Sequence, residues 1–408
     1  MTVAAVPANT LRQDARVITL VGIAHGVSHF SHLLLAALFP WLKPAFGLSY
    51  SELGLLMTMF FVVSGIGQAL AGFVVDRVGA RSVLFAGLAI LGMAALVMSA
   101  AHNYTMLLAG AMLAGLGNSV FHPADYTLLN QRVSPANLGH AFSMHGISGN
   151  LGWAAAPIFL TTMAGLSGWR SALAAAAFLP LAVLLLLFVN RQVLDTGDAR
   201  RKAAAAAPTS GSVLAFTRVP AVWMCFGFFV ISALALGGIQ SFSVASLRAL
   251  YDMSLPWATS GYIAYMLASA AGMVAGGFFA AMTVRHERII AYAFSAAGVL
   301  ALLLASGMVT PLMAIILIGA MGFGSGVAGP SRDLLIRAAA PKNATGRVYG
   351  VVYSGMDIGL ASAPLLFGMV MDANHPAWVF ILIGVFQVGA LLTAVRVGSS
   401  TSRKAAIA

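Results

Sequence analysis

Charged residues are scarce in this chain: they make up 8% of its 408 residues, whereas hydrophobic residues make up 60%. A water-soluble globular domain carries about 25% charged residues, so this composition excludes that class of protein. Acidic side chains are the rarest charged group, 11 Asp and Glu against 22 Lys and Arg. The single cysteine, Cys225, excludes an internal disulfide.

The sequence also lacks the motifs of common enzymes. It has no glycine-rich phosphate loop leading to Lys-Ser/Thr, no nucleophile elbow and no zinc-binding helix motif. We therefore expect a protein that is not an enzyme, that has no ATP site of its own, and that needs no cofactor or bound metal.

Apolar runs of about 20 residues recur from one end of the chain to the other, and each is long enough to cross a bilayer as a helix. The first run follows a polar start and has no small-residue cleavage site, so we expect an uncleaved span. We predict an all-α membrane protein whose twelve spans lie at roughly residues 17–41, 51–75, 82–101, 105–130, 138–163, 170–190, 219–247, 256–284, 289–308, 310–337, 344–370 and 376–398.

The placement of the basic residues indicates how the chain crosses the membrane. With both termini on one side, 19 of the 22 Lys and Arg fall on that side, and only Lys43, Arg170 and Arg248 fall on the other. This asymmetry predicts cytoplasmic termini in a multi-pass protein of the bacterial inner membrane. The positive charge is then a topology signal, and we expect the lipid bilayer, and not nucleic acid, as its surroundings.

The chain contains an internal repeat. Shifting it by 207 positions places Gly152 on Gly359 and Pro157 on Pro364, and further glycines and prolines match as well. We predict two pseudo-symmetric bundles of six helices, residues 17–190 and 219–398, joined by a cytoplasmic linker at 191–218 and flanked by tails at 1–16 and 399–408. Repeats of six spans are parallel, with an axis along the membrane normal.

The stretch from Gly72 to Arg81, between the second and third spans, reads G-x-x-x-D-R-x-G-x-R. It resembles the loop signature of the major facilitator superfamily of secondary transporters. The resemblance implies the major facilitator fold, a monomer, and a central cavity lined by spans 1, 4, 7 and 10. The residues expected to act in gating are Gly72, Asp76, Arg77, Gly79, Arg81, Arg332 and Asp333. Arg332 has an alternative role, which is binding an anionic substrate.

Polar side chains inside the spans cost about 2.5–3.5 kcal/mol each when they are charged, so they indicate function. Span 1 has three histidines and span 4 has three polar residues, each set at i, i+4 and i+7 on one helical face. The predicted substrate-binding or proton-coupling residues are His25, His29, His32, Asn118, His122, Asp125, Gln240, Tyr353 and Asp357. The alternative for each is a hydrogen bond between helices.

Three further stretches resemble the fosmidomycin-resistance-type bacterial branch of the superfamily: Phe39-Pro40-Trp41-Leu42 downstream of His25, Gly117 to Pro123, and Gly149-Asn150-Leu151-Gly152. The resemblance implies a proton-coupled antiporter for the efflux of a small, often anionic or drug-like, substrate. Uptake of an organic acid with protons is the first alternative, and a non-transporting membrane sensor is the alternative of another class. A transition-metal exporter is a lesser alternative, because histidine spacing permits imidazole ligands.

Overall fold

The computed structural model describes residues 8–135, 137–195, 220–283, 285–339 and 345–405, and in these residues it contains helices and no strand. The first six α-helices are α1 (Ala8–His32), α2 (Phe39–Phe46), α3 (Tyr50–Val78), α4 (Ala80–Ser99), α5 (Tyr104–Asn118) and α6 (Phe121–Arg132). The others are α7 (Leu138–Val189), α8 (Pro220–Tyr251), α9 (Leu255–Ala281), α10 (His286–Ala305), α11 (Pro311–Ala339), α12 (Thr345–Asp372) and α13 (Pro376–Ala405).

Length and composition identify the helices that can cross a membrane. Within the described residues nine helices qualify, and a bent pair, Leu11–His32 with Ala36–Phe46, makes a tenth. The fifth and sixth predicted spans both lie in α7, where only Gly168 has a non-helical backbone. A shorter apolar helix occupies Pro376–Leu391. This set is consistent with twelve spans, and the predicted all-α membrane fold is confirmed.

The first span is not one continuous helix as the sequence predicted. Helix α1 ends at His32, a short 3-10 helix follows at Ala36–Leu38, and α2 leaves at an angle of 43°. Pro40 lies in the first turn of α2, where its missing N–H is tolerated, and the carbonyl of Ala36 accepts from the N–H of Phe39.

The fourth span also consists of two pieces, α5 and α6, with Ser119 and Val120 between them. Pro123 has no N–H, so the carbonyl of Ser119 has no helical partner at this point. The interruption places Asn118 on α5 and His122 and Asp125 on α6, so the polar stripe of the fourth span is divided between two helices.

The connection between the second and third spans is shorter than predicted. Helix α3 continues through Asp76 and Arg77 to Val78, and α4 begins at Ala80. The turn is made by Gly79 alone, whose φ of 100° is readily accessible only to glycine. The stretch from Gly72 to Arg81 thus forms the end of α3, a one-residue turn and the start of α4, and not a loop.

The chain divides into two compact units, the first formed by residues 1–41 and 63–209 and the second by residues 42–62 and 210–408. In the first unit α1 packs against α7, and α4 packs against α5 and α7. In the second unit α8 packs against α12 and α13, while α11 packs against α9 and α10.

The internal repeat is visible in how the helices of each unit approach one another. In the first unit Gly152 of α7 lies against the carbonyl of Gly26 in α1, so closely that no Cβ fits. In the second unit Gly359 of α12 lies in the same way against the carbonyl of Val230 in α8. The two glycines are 207 positions apart, so the repeat preserves a close contact between backbones.

Candidate functional site: a buried histidine cluster

Helices α1, α5, α6 and α7 bring a set of polar side chains together in the interior of the first unit. Ring centroids of His25 and His122 are 5.4 Å apart, and those of His29 and His122 are 6.4 Å apart. The six residues predicted from spans 1 and 4 all meet here: His25, His29, His32, Asn118, His122 and Asp125. All except His122 are buried.

Asp125 is at the centre of the charged part of this cluster and is fully buried. Its Oδ2 lies 3.2 Å from Nδ1 of His25 and 3.2 Å from Nε2 of His145. The two imidazoles stack with ring centroids 3.5 Å apart. In the part of the chain that the structure describes, no Lys or Arg forms an ion pair with Asp125. The carboxylate therefore faces two imidazoles.

Asn118 organises the other end of the cluster. Its Oδ1 accepts hydrogen bonds from Ser28 Oγ at 2.6 Å and from His32 Nε2 at 3.0 Å, while its Nδ2 donates to Ser64 Oγ at 2.9 Å. The indole Nε1 of Trp153 donates to His32 Nδ1 at 3.3 Å. His32 thus accepts at one nitrogen and donates at the other, which is the arrangement of the neutral imidazole. This end of the site is a fixed network that links four helices.

His122 forms the more accessible side of the cluster. Its Nδ1 lies 2.7 Å from Oε1 of Gln68, and both side chains are half-buried. Tyr126, one turn further along α6 and 36% exposed, stacks with His122 at 6.2 Å between ring centroids. A ligand or proton that approaches from this side would meet His122 before the buried carboxylate.

His29 lies between the two ends of the cluster and packs on an aromatic wall. Its ring stacks on Trp153 at 4.2 Å between centroids. Among the described residues its Nδ1 has no hydrogen-bond partner. A Cβ at Gly149 would lie 2.5 Å from that nitrogen, so only glycine leaves room for the ring.

Five members of the cluster were not predicted: His145, Trp153, Gln68, Ser28 and Ser64. A signal for two of them exists, because His145, Gly149 and Trp153 follow one another at four-residue intervals on one face of α7. The polar residue singled out in this span was Asn150, whose side chain instead donates to the Gly146 carbonyl of its own helix at 3.4 Å.

The remaining predicted binding residues belong to the second unit. Gln240 in α8 is buried, and neither of its amide atoms has a hydrogen-bond partner among the described residues. Tyr353 in α12 lies 4.8 Å from Phe229 between ring centroids, and Asp357 is half-buried one turn further on. The predicted residues of this unit therefore lie on two helices, α8 and α12.

The structure describes the side chains of some of the predicted gating residues. Arg81 donates to the carbonyl of Arg191 at 3.0 Å and lies 3.7 Å from Asp195. The guanidinium of Arg332 lies 4.9 Å from the ring centroid of Phe229. Among the described residues no heavy atom lies within 4 Å of a Cβ built at Gly72, and Arg77 is exposed. The side chains of Asp76 and Asp333 lie outside the described part of the structure.

Comparison with known proteins places this geometry in a family. Residues 21–352 match the model of the Major Facilitator Superfamily. The fold is similar to a bacterial homologue of the human lysosomal transporter Spinster, in an inward-facing and occupied conformation, with a TM-score of 0.72 at 15% identity. That likeness covers 95% of this chain and 97% of the other, and it concerns the fold alone.

Two relatives from Escherichia coli (strain K12) match over long stretches. One, named "Probable L-galactonate transporter", is 25% identical over 82% of this chain and 78% of its own length. The other, named "Fosmidomycin resistance protein", is 23% identical over 67% of this chain and 67% of its own length.

Proposed function

The chain belongs to the major facilitator superfamily, and we propose that it exports a small organic anion in exchange for protons. Membership of this family makes it a multi-pass secondary transporter and not an enzyme. The single observation that supports this proposal best is the buried cluster around Asp125, in which two imidazoles share one carboxylate oxygen. Ionisable groups at such depth are costly in a membrane protein, and they mark substrate or proton sites.

The chemistry of the cluster suits protons as the coupling ion. His25 and His145 each place a ring nitrogen 3.2 Å from Asp125, and no Lys or Arg among the described residues pairs with that carboxylate, so one proton can be shared among three groups. Asp357, half-buried in the second unit, is a second group of the kind that can load a proton. We propose these groups as the coupling residues.

The substrate class follows from what the cluster offers when it is protonated. Imidazolium groups present positive charge and N–H donors, and the site has one carboxylate against five imidazoles, so an anion is the complementary ligand. The name of one relative agrees with this class, since L-galactonate is a carboxylate.

We base the direction on the relative that is named for resistance, because export lowers the internal concentration of a compound. Uptake of an organic acid together with protons is the alternative, and it uses the same groups. The proposal includes alternating access, a monomer in the bacterial inner membrane, and cytoplasmic termini as the basic residues predict. Gly79, Arg81 and Arg332 are proposed to act in gating.

Flux through the purified protein in proteoliposomes tests the proposal. A panel of phosphonates, carboxylates and cationic drugs is offered with imposed pH gradients of both signs. An antiporter moves its substrate against the flow of protons, so the substrate accumulates on the acidic side. A symporter accumulates it on the alkaline side, and empty liposomes correct for passive diffusion of weak acids. Flux of an anion that ignores the pH gradient would reject proton coupling.

Variants connect the flux to the cluster. His29→Ala and Asp357→Ala are expected to lose gradient-driven flux while remaining folded in the membrane. The matched control is His102→Ala, because His102 is exposed and lies outside the cluster. Wild-type flux in both site variants would remove these residues from the mechanism. Ligand binding without any flux in the wild type would favour the membrane sensor.

A further inference from the structure

Three groups in the first unit direct their donor atoms at one point. Nδ1 of His25, a carboxylate oxygen of Asp125 and Nε2 of His145 all lie within 4.8 Å of one another. Each nitrogen is 3.2 Å from the same carboxylate oxygen, Oδ2. The three residues come from three different helices, α1, α6 and α7, whose packing fixes the arrangement.

These separations agree with those of ligands around a metal ion. Zinc binds histidine nitrogen and carboxylate oxygen at about 2.0–2.1 Å in a tetrahedron, which places neighbouring ligand atoms about 3.3 Å apart. The two observed nitrogen–oxygen separations are 3.2 Å. The contact between His145 and Asp125 also meets the criteria of a hydrogen bond, and its 3.2 Å lies at the upper end of the usual N–H···O range.

Unsatisfied atoms at the same place support a missing cation. Within the described residues, Nδ1 of His25 and Oδ1 of Asp125 have no hydrogen-bond partner although both residues are buried. A buried acceptor without a partner costs about 1–3 kcal/mol. An ion held between the two rings and the carboxylate would satisfy Nδ1 of His25, and it would satisfy Oδ1 as well if Asp125 bound it through both oxygens.

We propose that His25, Asp125 and His145 form a binding site for one divalent transition-metal ion of the zinc type. Two imidazoles and one carboxylate are a ligand set that zinc and its neighbours accept, whereas magnesium and calcium prefer oxygen ligands throughout. The site has three protein ligands, so a fourth position is open to water or to a bound anion. His122 and Gln68, which are half-buried, provide the way in.

A second group in the cluster makes the assignment testable. His25, His29 and His122 also hold their nitrogens within 4.8 Å of one another, and they share only His25 with the proposed site. The two groups therefore predict different effects of single substitutions on metal binding. Loss of His145 removes a ligand from the proposed site alone, and loss of His122 removes one from the other group alone.

Equilibrium dialysis of Zn²⁺ against the purified full-length protein tests the site, after treatment with a chelator and without organic substrate or a pH gradient. We expect one ion per chain. His145→Ala and the isosteric Asp125→Asn should weaken binding at least tenfold, while the exposed His102→Ala should bind like the wild type. Thermal unfolding in chelator shows that each variant is folded.

The proposal is overturned if the folded wild type binds no Zn²⁺ stoichiometrically, or if His145→Ala binds it unchanged. It is equally overturned if His122→Ala loses the ion and His145→Ala retains it, because the ion then occupies the histidine group instead. The ion and the coupling proton would use the same atoms of Asp125, His25 and His145, but the two proposals are tested separately, since metal binding is measured at equilibrium and organic-anion flux is measured in vesicles with chelator.

Discussion

Replacing Gly152 by alanine should disturb both the packing and the site of the first unit. A Cβ at this position would collide with the backbone carbonyl of Gly26, which cannot rotate away as a side chain can. Restoring ordinary van der Waals contact requires α1 and α7 to separate by about 1 Å. The hydrogen bond from Trp153 to His32, now 3.3 Å, joins these two helices. It would lengthen to about 4 Å, beyond the range of a hydrogen bond.

The energetic cost follows from the same geometry. Overpacking of this kind typically costs about 1–3 kcal/mol, and each kcal/mol lowers an unfolding temperature by roughly 2–4 °C in a domain of this size. Thermal unfolding of the purified protein measures the shift, and proteoliposome flux measures the effect on the site. We expect both to fall in Gly152→Ala.

A matched control lies in the same helix. No heavy atom lies within 4 Å of a Cβ built at Gly165, so Gly165→Ala meets open space. It should leave stability unchanged or raise it by about 0.5–1 kcal/mol, because alanine loses less backbone entropy than glycine in a helix. If Gly152→Ala unfolds at the wild-type temperature and transports normally, the close approach of α1 and α7 is not required and the reasoning fails.

Three further changes have defined outcomes. Gly79→Ala should lower stability by about 1 kcal/mol or more, because its φ of 100° strains any other residue; an unchanged unfolding temperature would contradict this. Asp372→Ala should cost about 0.5–2 kcal/mol in the same assay, since the Asp372 carboxylate accepts from the N–H groups of Tyr50 and Ser51 at the start of α3; equal stability would refute the capping role. Asp76→Ala should reduce flux while ligand binding persists, and a parallel loss of both would count against gating.

The composition of the chain predicts most of the fold. Scarce charge and recurring apolar runs indicate membrane helices, and their ends agree with the structure within a few residues at most spans. The helix breaks were harder to predict, since a proline such as Pro40 is compatible with a bend or with a helix start. In helix α7 the sequence predicts two spans where the structure has one continuous element, because only Gly168 has a non-helical backbone.

The residues that spans 1 and 4 bring to the site could be predicted from the sequence. Histidines at i, i+4 and i+7 on span 1 and polar residues at the same spacing on span 4 identify two faces, and those faces do meet. The spacing of residues within one helix does not indicate which further helix packs against them and completes the site. His145 was missed for that reason, although its ring and that of His25 contact the same carboxylate oxygen of Asp125.

Gln68 shows the same limit, since a lone amide on α3 is recognisable as part of the site only from its 2.7 Å contact with His122. Polar residues in a membrane helix become informative when their partners are known. The sequence supplies the residues, and the packing of α1, α3 and α7 selects which of them meet.

The central claim is that the buried carboxylate and its histidines exchange protons with the transported ligand. Proton release or uptake on substrate addition, measured with a pH indicator in weakly buffered detergent solution, tests it directly once the flux panel has identified a substrate. The wild type should show a proton change close to stoichiometric with bound substrate, and Asp125→Asn should bind with that change reduced or absent. An identical proton change in Asp125→Asn, or none in the wild type, would contradict the account.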